Sequence, residues 1–176
     1  GAPGIDADFA QMARAGVDHL SELGHRRIVA LMRETASDDA HARQDQAHEL
    51  LRAAQDLEVE VLVRQVPEAA LAGAEIVEAA GLIEGCSAAL VGLACAAQAH
   101  GLSVPADLSV LTLGISQDSG HPAEAFSELS VDREAMGAEA GSLLLRCLRG
   151  EPGPSQPRRL MPAVLTDRGT TARRQE

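Results

Sequence analysis

The chain has 176 residues, with 26 acidic and 15 basic side chains and a formal charge of −11. That length allows one domain with a real core, and the charge excludes the basic footprint of a direct nucleic-acid binder. Trp and Tyr are absent and Phe9 and Phe126 are the two aromatic residues. The core therefore packs through aliphatic side chains and alanine, and the chain has few platforms for stacking bases or sugar faces.

Residues Gly1 to Gly4 read as a loose start without an opening methionine. A helix is expected from Asp8 to Leu23, with Phe9, Ala13, Val17 and Leu20 on one face and Gly24 as its stop. The apolar run Ile28 to Met32 reads as a buried strand, and Glu34 to His41 as a polar loop. Asp38 or Asp39 caps a second helix that reaches Asp56 and turns Ala47, Leu50, Leu51 and Ala54 inward. Val59, Val61 and Val63 alternate with Glu58 and Glu60, which is strand periodicity. Pro67 suits the first turn of a third helix ending near Ala80, followed by a short strand over Gly81 to Glu84.

A small-residue-rich helix is expected from Ala88 to His100, then a turn through Gly101 and Pro105, then a buried strand from Leu108 to Leu113. A polar loop covers Ser116 to His121, and Phe126 to Val131 is extended. Asp132 caps a long helix to Leu148 with Met136, Ala140, Leu143 and Cys147 in register and Glu139 and Arg146 toward solvent. Gly150 to Pro157 holds three prolines and two glycines and reads as a connector. A last extended segment runs from Arg159 to Leu165, ahead of a basic tail through Arg173 and Arg174. Strands separated by helices predict a three-layer α/β fold with a mostly parallel sheet.

Cys86, Cys95 and Cys147 are odd in number and form no CxxC pair, so they read as small core hydrophobes in a reducing compartment. The six histidines (His19, His25, His41, His48, His100 and His121) are scattered and form no HExxH motif. No metal site, cofactor loop or catalytic constellation is expected, and the chain does not read as an enzyme. No apolar run approaches the ~18 residues of a membrane span and no signal peptide opens the chain. A cytoplasmic protein without membrane contact is expected.

Four motifs carry a family resemblance. His19 to Ala30, HLSELGHRRIVA, resembles the "hL.eLGHrrIa" motif of the LacI/GalR transcription regulators. Gly101 to Leu111, GLSVPADLSVL, resembles that family's "GlrVPeDvSVvGFDD". Ser130 to Leu148 is similar to "V..d...lG..A..lLl..l", and Leu160 to Thr171, LMPAVLTDRGTT, to "llp..Lv.RgST". The motifs keep family order and span nearly the whole chain.

The resemblance implies a type I periplasmic-binding-protein-like fold, represented mainly by its C-terminal lobe. Residues 1–176 then form a partial effector-binding domain. Segment 130–160 returns toward a first lobe that is mostly missing. Operator DNA would be bound only through an N-terminal domain absent from this chain. The implied partners are a small-molecule effector, a sugar or another metabolite, and a second copy in a homodimer.

Carried over by motif, the ligand-binding candidates are Asp8, Ser37, Arg43, Ser87 and Asp118. Ser37 and Arg43 match the family's "S…R..G" region, with Gln46 at the glycine. Arg43 offers a planar fork for a hydroxyl pair or carboxylate. Asp8 matches the aspartate of a "DN" pair near the lobe crossover, where the alternative role is helix capping. Counting back from Gly101 puts Cys86 and Ser87 at the family's "ND" pair, where Ser87 contacts ligand or caps the next helix. Gly114 falls on an aspartate that commonly binds effector hydroxyls, and Asp118 in the following loop is the nearest replacement.

These residues support an effector-sensing and dimerisation portion of a transcriptional regulator. The alternative is a diverged regulator domain that no longer senses a small molecule and serves as a dimerisation or interaction module. A free-standing solute-binding protein ranks third.

Overall fold

The structure, a computed structural model, describes residues 3–33, 40–66, 87–92, 103–114, 126–151 and 158–174. Eight strands and three helices follow one another: β1 Gly4–Ala7, α1 Phe9–Glu22, β2 Arg27–Arg33, α2 Ala40–Asp56, β3 Glu60–Val66, β4 Ala88–Gly92, β5 Ser109–Leu113, β6 Ser127–Ser130, α3 Arg133–Leu148, β7 Arg158–Met161 and β8 Val164–Thr166. Six strands form one sheet in the order β3-β2-β4-β5-β6-β8, and β1 pairs with β7 in a second, two-stranded sheet. The large sheet is parallel except for β8, which runs antiparallel to β6. This mixed α/β architecture is the expected class.

Both faces of the large sheet are covered. On one face Ile28, Ala30, Leu111, Leu113 and Leu129 pack against Met12, Ala13, Val17 and Leu20 of α1 and Leu50, Ala53 and Ala54 of α2. Val29, Leu31 and Val110 alternate to the opposite face and are buried as well. Strands covered on both sides read as continuous apolar runs, which is why Ile28 to Leu31 and Val110 to Leu113 stand out in the sequence.

Helix α1 follows its local code at both ends. Asp8 caps the start, accepting the Gln11 N–H at 2.9 Å. At the finish Gly24 N–H donates to Ser21 O and His25 N–H to Leu20 O, with Gly24 at φ +89°. This is a Schellman stop, and the left-handed position takes glycine because a Cβ is strained there.

Five expectations need correction. Cys147, expected as a small core hydrophobe, is exposed on the helix Arg133–Leu148. Ala88 to Gly92 is a strand between β2 and β5, where a helix from Ala88 to His100 was expected. A run of five small apolar residues suits either element, and the buried slot between two parallel strands decides it. Residues 4–7 form β1, which pairs with β7 more than 150 positions away and has no local signature. The final extended segment is two strands in two sheets, divided at Pro162 and Ala163. Leu51 is exposed, and Ala53 takes its place in the core. The expected helix after Pro67, the strand over Gly81 to Glu84 and the loop from Ser116 to His121 lie outside the described residues.

The small layer differs from the large one in its covering. Helix α3 is capped by Asp132, which accepts the Ala135 N–H at 2.9 Å, and it packs against β1. None of its residues is buried, and Leu144, Leu145 and Leu148 are exposed, as is Leu160 on β7. Burial therefore predicts an asymmetric response to truncation. Leu111→Ala, at a fully buried site, should cost about 2–5 kcal/mol in urea unfolding, whereas Leu148→Ala should stay within about 0.5 kcal/mol.

Candidate functional site

The large sheet has two different ends. At its amino end the segment 167–174 is bonded to β5, to β6 and to the turn that precedes β2. Val110 N–H donates to Thr170 O at 2.8 Å. The Thr170 hydroxyl donates to Val110 O at 2.7 Å and accepts the Ser127 N–H at 2.8 Å. Ala172 N–H donates to Ser109 Oγ at 3.0 Å, and Arg174 N–H reaches Leu23 O at 2.9 Å. Asp167 and Arg168 complete the corner. Asp167 Oδ1 accepts the Ser127 hydroxyl, and Arg168 pairs with Glu128 at 2.9 Å while donating to Phe126 O.

Two histidines hold this strap. His19 Nε2 lies 3.0 Å from Thr171 Oγ1. Buried His25 places Nε2 3.0 Å from Ala172 O and Nδ1 2.8 Å from Ser87 Oγ. A carbonyl only accepts, so Nε2 carries the proton and Nδ1 accepts the Ser87 hydroxyl. Burial lowers the His25 pKa against the bond to Ala172, with Arg174 and His19 lowering it further. The Gly169 N–H and then the Ser127 hydroxyl hold the Asp167 carboxyl below its ordinary range.

The carboxyl end is where open α/β sheets place ligands, and here the chain crosses between its two layers. Asp8 stands at this end, between β1 and α1. Its N–H donates to Met161 O at 2.8 Å, and its carboxylate is the α1 cap, so the capping role is occupied. Gly114 follows β5 at the same end beside Met12. Its N–H donates to Leu129 O at 2.7 Å and its φ is +67°. A Cβ there would meet Met12 Sδ only at an ordinary 3.8 Å. The left-handed backbone, not lack of space, favours glycine.

The remaining candidates divide by position. Ser87 precedes β4 at the amino end and bonds His25, so it neither caps a helix nor stands beside Asp8. Its placement by counting back from Gly101 assumed a helix where β4 lies. Arg43 is in the first turns of α2, which follows the carboxyl end of β2. Ser37 and Asp118, with Cys86, lie outside the described residues. Among the described residues no group of three His, Cys, Asp or Glu side chains is arranged to hold a metal, and no helix is long and apolar enough to cross a membrane.

Motif matching missed Gln11, whose Oε1 accepts the Ala163 N–H at 2.9 Å, and the strap partners Ser109, Ser127 and Thr170. Gln11 was detectable, because Asp8-x-x-Gln11 is a capping-box pattern. Ser109 and Ser127 carry no such local signal.

The family profile described as periplasmic binding protein-like domain matches residues 17–171. No curated protein matches at a significant level. Among solved structures, a LacI family transcriptional regulator from Bifidobacterium animalis subsp. lactis superposes with a TM-score of 0.80 at 21% identity, covering 98% of this chain and 65% of that one. A LacI family regulator from an Arthrobacter species, solved in complex with lactose, gives 0.78 at 21%, covering 97% and 67%. A dimeric Lac repressor with a C-terminal deletion gives 0.78 at 23%, covering 97% and 64%. The likeness establishes the fold, and the chain spans about two thirds of the length of these proteins.

Two outcomes follow from the geometry. His25 has a folded pKa below its unfolded one, so its contribution is present above the unfolded value of about 6.5 and is lost as pH falls below it. Thermal melting from pH 8 to pH 5 should therefore lower Tm more in the native chain than in His25→Gln, and parallel curves would contradict this. Gly114→Ala should destabilise by about 1–2 kcal/mol in urea unfolding, the cost of a Cβ in the left-handed region.

Proposed function

The chain belongs to the periplasmic binding protein-like domain family, and from that premise we propose that it is the effector-sensing and dimerising portion of a LacI/GalR-type transcriptional regulator. The observation carrying this reading is the polarity of the large sheet. Its amino end is bonded by residues 167–174 at β5, β6 and the turn before β2, while Asp8, Gly114 and the layer crossings stand at its carboxyl end. A small metabolite held there would touch both layers, and binding would couple to their relative position. The lactose complex of the Arthrobacter relative supports a sugar-like ligand class.

In this reading Asp8 accepts ligand hydroxyls while its other bonds fix the start of α1. Arg43 in the first turns of α2, with Ser37 and Asp118, supplies polar contacts, and Ser87 contributes indirectly by holding His25. The chain is non-catalytic, acts in the cytoplasm and pairs with a second copy, as the dimeric Lac repressor relative does. Operator DNA is met through a separate N-terminal domain. Residues 1–176 comprise the second lobe plus a returning part of the first, a reading supported by the exposed leucines of α3 and by the length difference from the relatives.

A second reading has a specific observation behind it. Gly114 replaces a side-chain acceptor with a left-handed glycine, which favours a diverged domain that dimerises without sensing a metabolite. Thermal-shift titration with sugars, nucleosides and amino acids separates the two. On the first reading one ligand class raises Tm saturably, by the equivalent of about 2.7 kcal/mol at a hundredfold excess over Kd. Arg43→Ala and Asp8→Asn should weaken that shift, Asn being chosen because it still caps a helix. No shift with any class, alongside a dimer by analytical ultracentrifugation, would favour the second reading.

A further inference from the structure

The chain passes between the small layer (β1, β7 and α3) and the large sheet three times, at Asp8, at Val131–Asp132 and at Pro162–Ala163. The first and third crossings run side by side. β1 and β7 are parallel, with Ala7 opposite Met161, and the Asp8 N–H extends that ladder to Met161 O at 2.8 Å.

Asp8-Phe9-Ala10-Gln11 has the spacing of a capping box. In such a box the cap side chain accepts the backbone N–H three residues on, and the Gln side chain reaches back to the cap N–H. The first half is present, with Gln11 N–H on Asp8 Oδ1 at 2.9 Å. The second half is diverted. The Asp8 N–H is already given to Met161 O, and Gln11 Oε1 instead accepts the Ala163 N–H at 2.9 Å. Met161 and Ala163 flank Pro162, which has no N–H to offer and a fixed φ. Ala163 is itself buried in the core of the large sheet.

We infer that Asp8 and Gln11 form a clamp that joins the first and third crossings into one hinge element between the layers. Gln11 is a positioning residue in this device, since its side-chain oxygen is given to the Ala163 N–H. The second crossing has a different set of bonds. Ser130 pairs with Val164 before it, and Asp132 caps α3 after it by accepting the Ala135 N–H. The device is a property of the fold and stands whether or not a metabolite binds.

Amide hydrogen exchange on the full chain tests it, comparing the native protein with Gln11→Ala and Gln11→Glu. Loss of the Gln11 side chain should speed exchange at Ala163 and, because the crossings move together, at Asp8, by about fivefold or more. Val29 and Val110, in the centre of the large sheet, should keep native rates, which distinguishes hinge loosening from global unfolding. Gln11→Glu retains an acceptor oxygen and should restore protection at both amides.

A distance readout completes the test. Spin labels at exposed Cys147 on α3 and at Gln55→Cys on α2, with Cys86 and Cys95 changed to alanine, report the separation of the layers. Gln11→Ala should broaden that distance distribution, and Gln11→Glu should return it to native width. Faster exchange at Ala163 alone with an unchanged distribution would overturn the inference, leaving only a local bond. Unchanged exchange at both amides would overturn it as well.

Discussion

A strand at the centre of a parallel sheet has no side left for water, and every backbone polar group on it must find a partner within the protein. Strand β5 is such a strand, with five consecutive buried residues. β4 pairs with it from Ser109 to Thr112, but β6 joins only at Leu111. The gap at Val110 is filled by Thr170, whose carbonyl accepts the Val110 N–H and whose hydroxyl donates to Val110 O. The same hydroxyl receives the Ser127 N–H and so sets the start of β6. The strap over residues 167–174 therefore completes the sheet as well as covering its end.

That completion gives the molecule its direction. The strap, His19 and His25 occupy the amino end, and the carboxyl end is the one at which we propose that a metabolite is held. Ser87 stands at the amino end, bonded to His25, and Asp8 at the carboxyl end, although short motifs make both of them candidates for the same site. Burial lowers the His25 pKa, so protonation at acid pH would place a charge among the buried groups that hold the strap and beside Arg174.

The crossings are where the two layers meet, and their bonding is uneven. Pro162 removes a donor at the place where the third crossing leaves the β1–β7 ladder, and the bonds on either side of it go to Asp8 and Gln11. Helix α3, by contrast, shows Leu144, Leu145 and Leu148 to solvent. Burial of these leucines against another surface would add apolar stabilisation that the described residues leave unused.

Local codes made much of this legible in the sequence. Asp8 and Asp132 capped the helices expected of them, Gly24 marked a stop, and the valines at 59, 61 and 63 alternated as a strand does. These signals need only neighbouring residues, so they survive without knowledge of the fold. The ordered motifs likewise pointed to the periplasmic-binding-protein-like class. Only the tertiary structure decided that Ala88 to Gly92 is a strand, that residues 4–7 pair with 158–161, that Ser87 supports a histidine, and that Gln11 joins two crossings. Each depends on partners tens to more than a hundred positions distant. A short apolar run, a serine or a glutamine has several acceptable local states, and the choice among them is made by the groups that tertiary packing brings beside it.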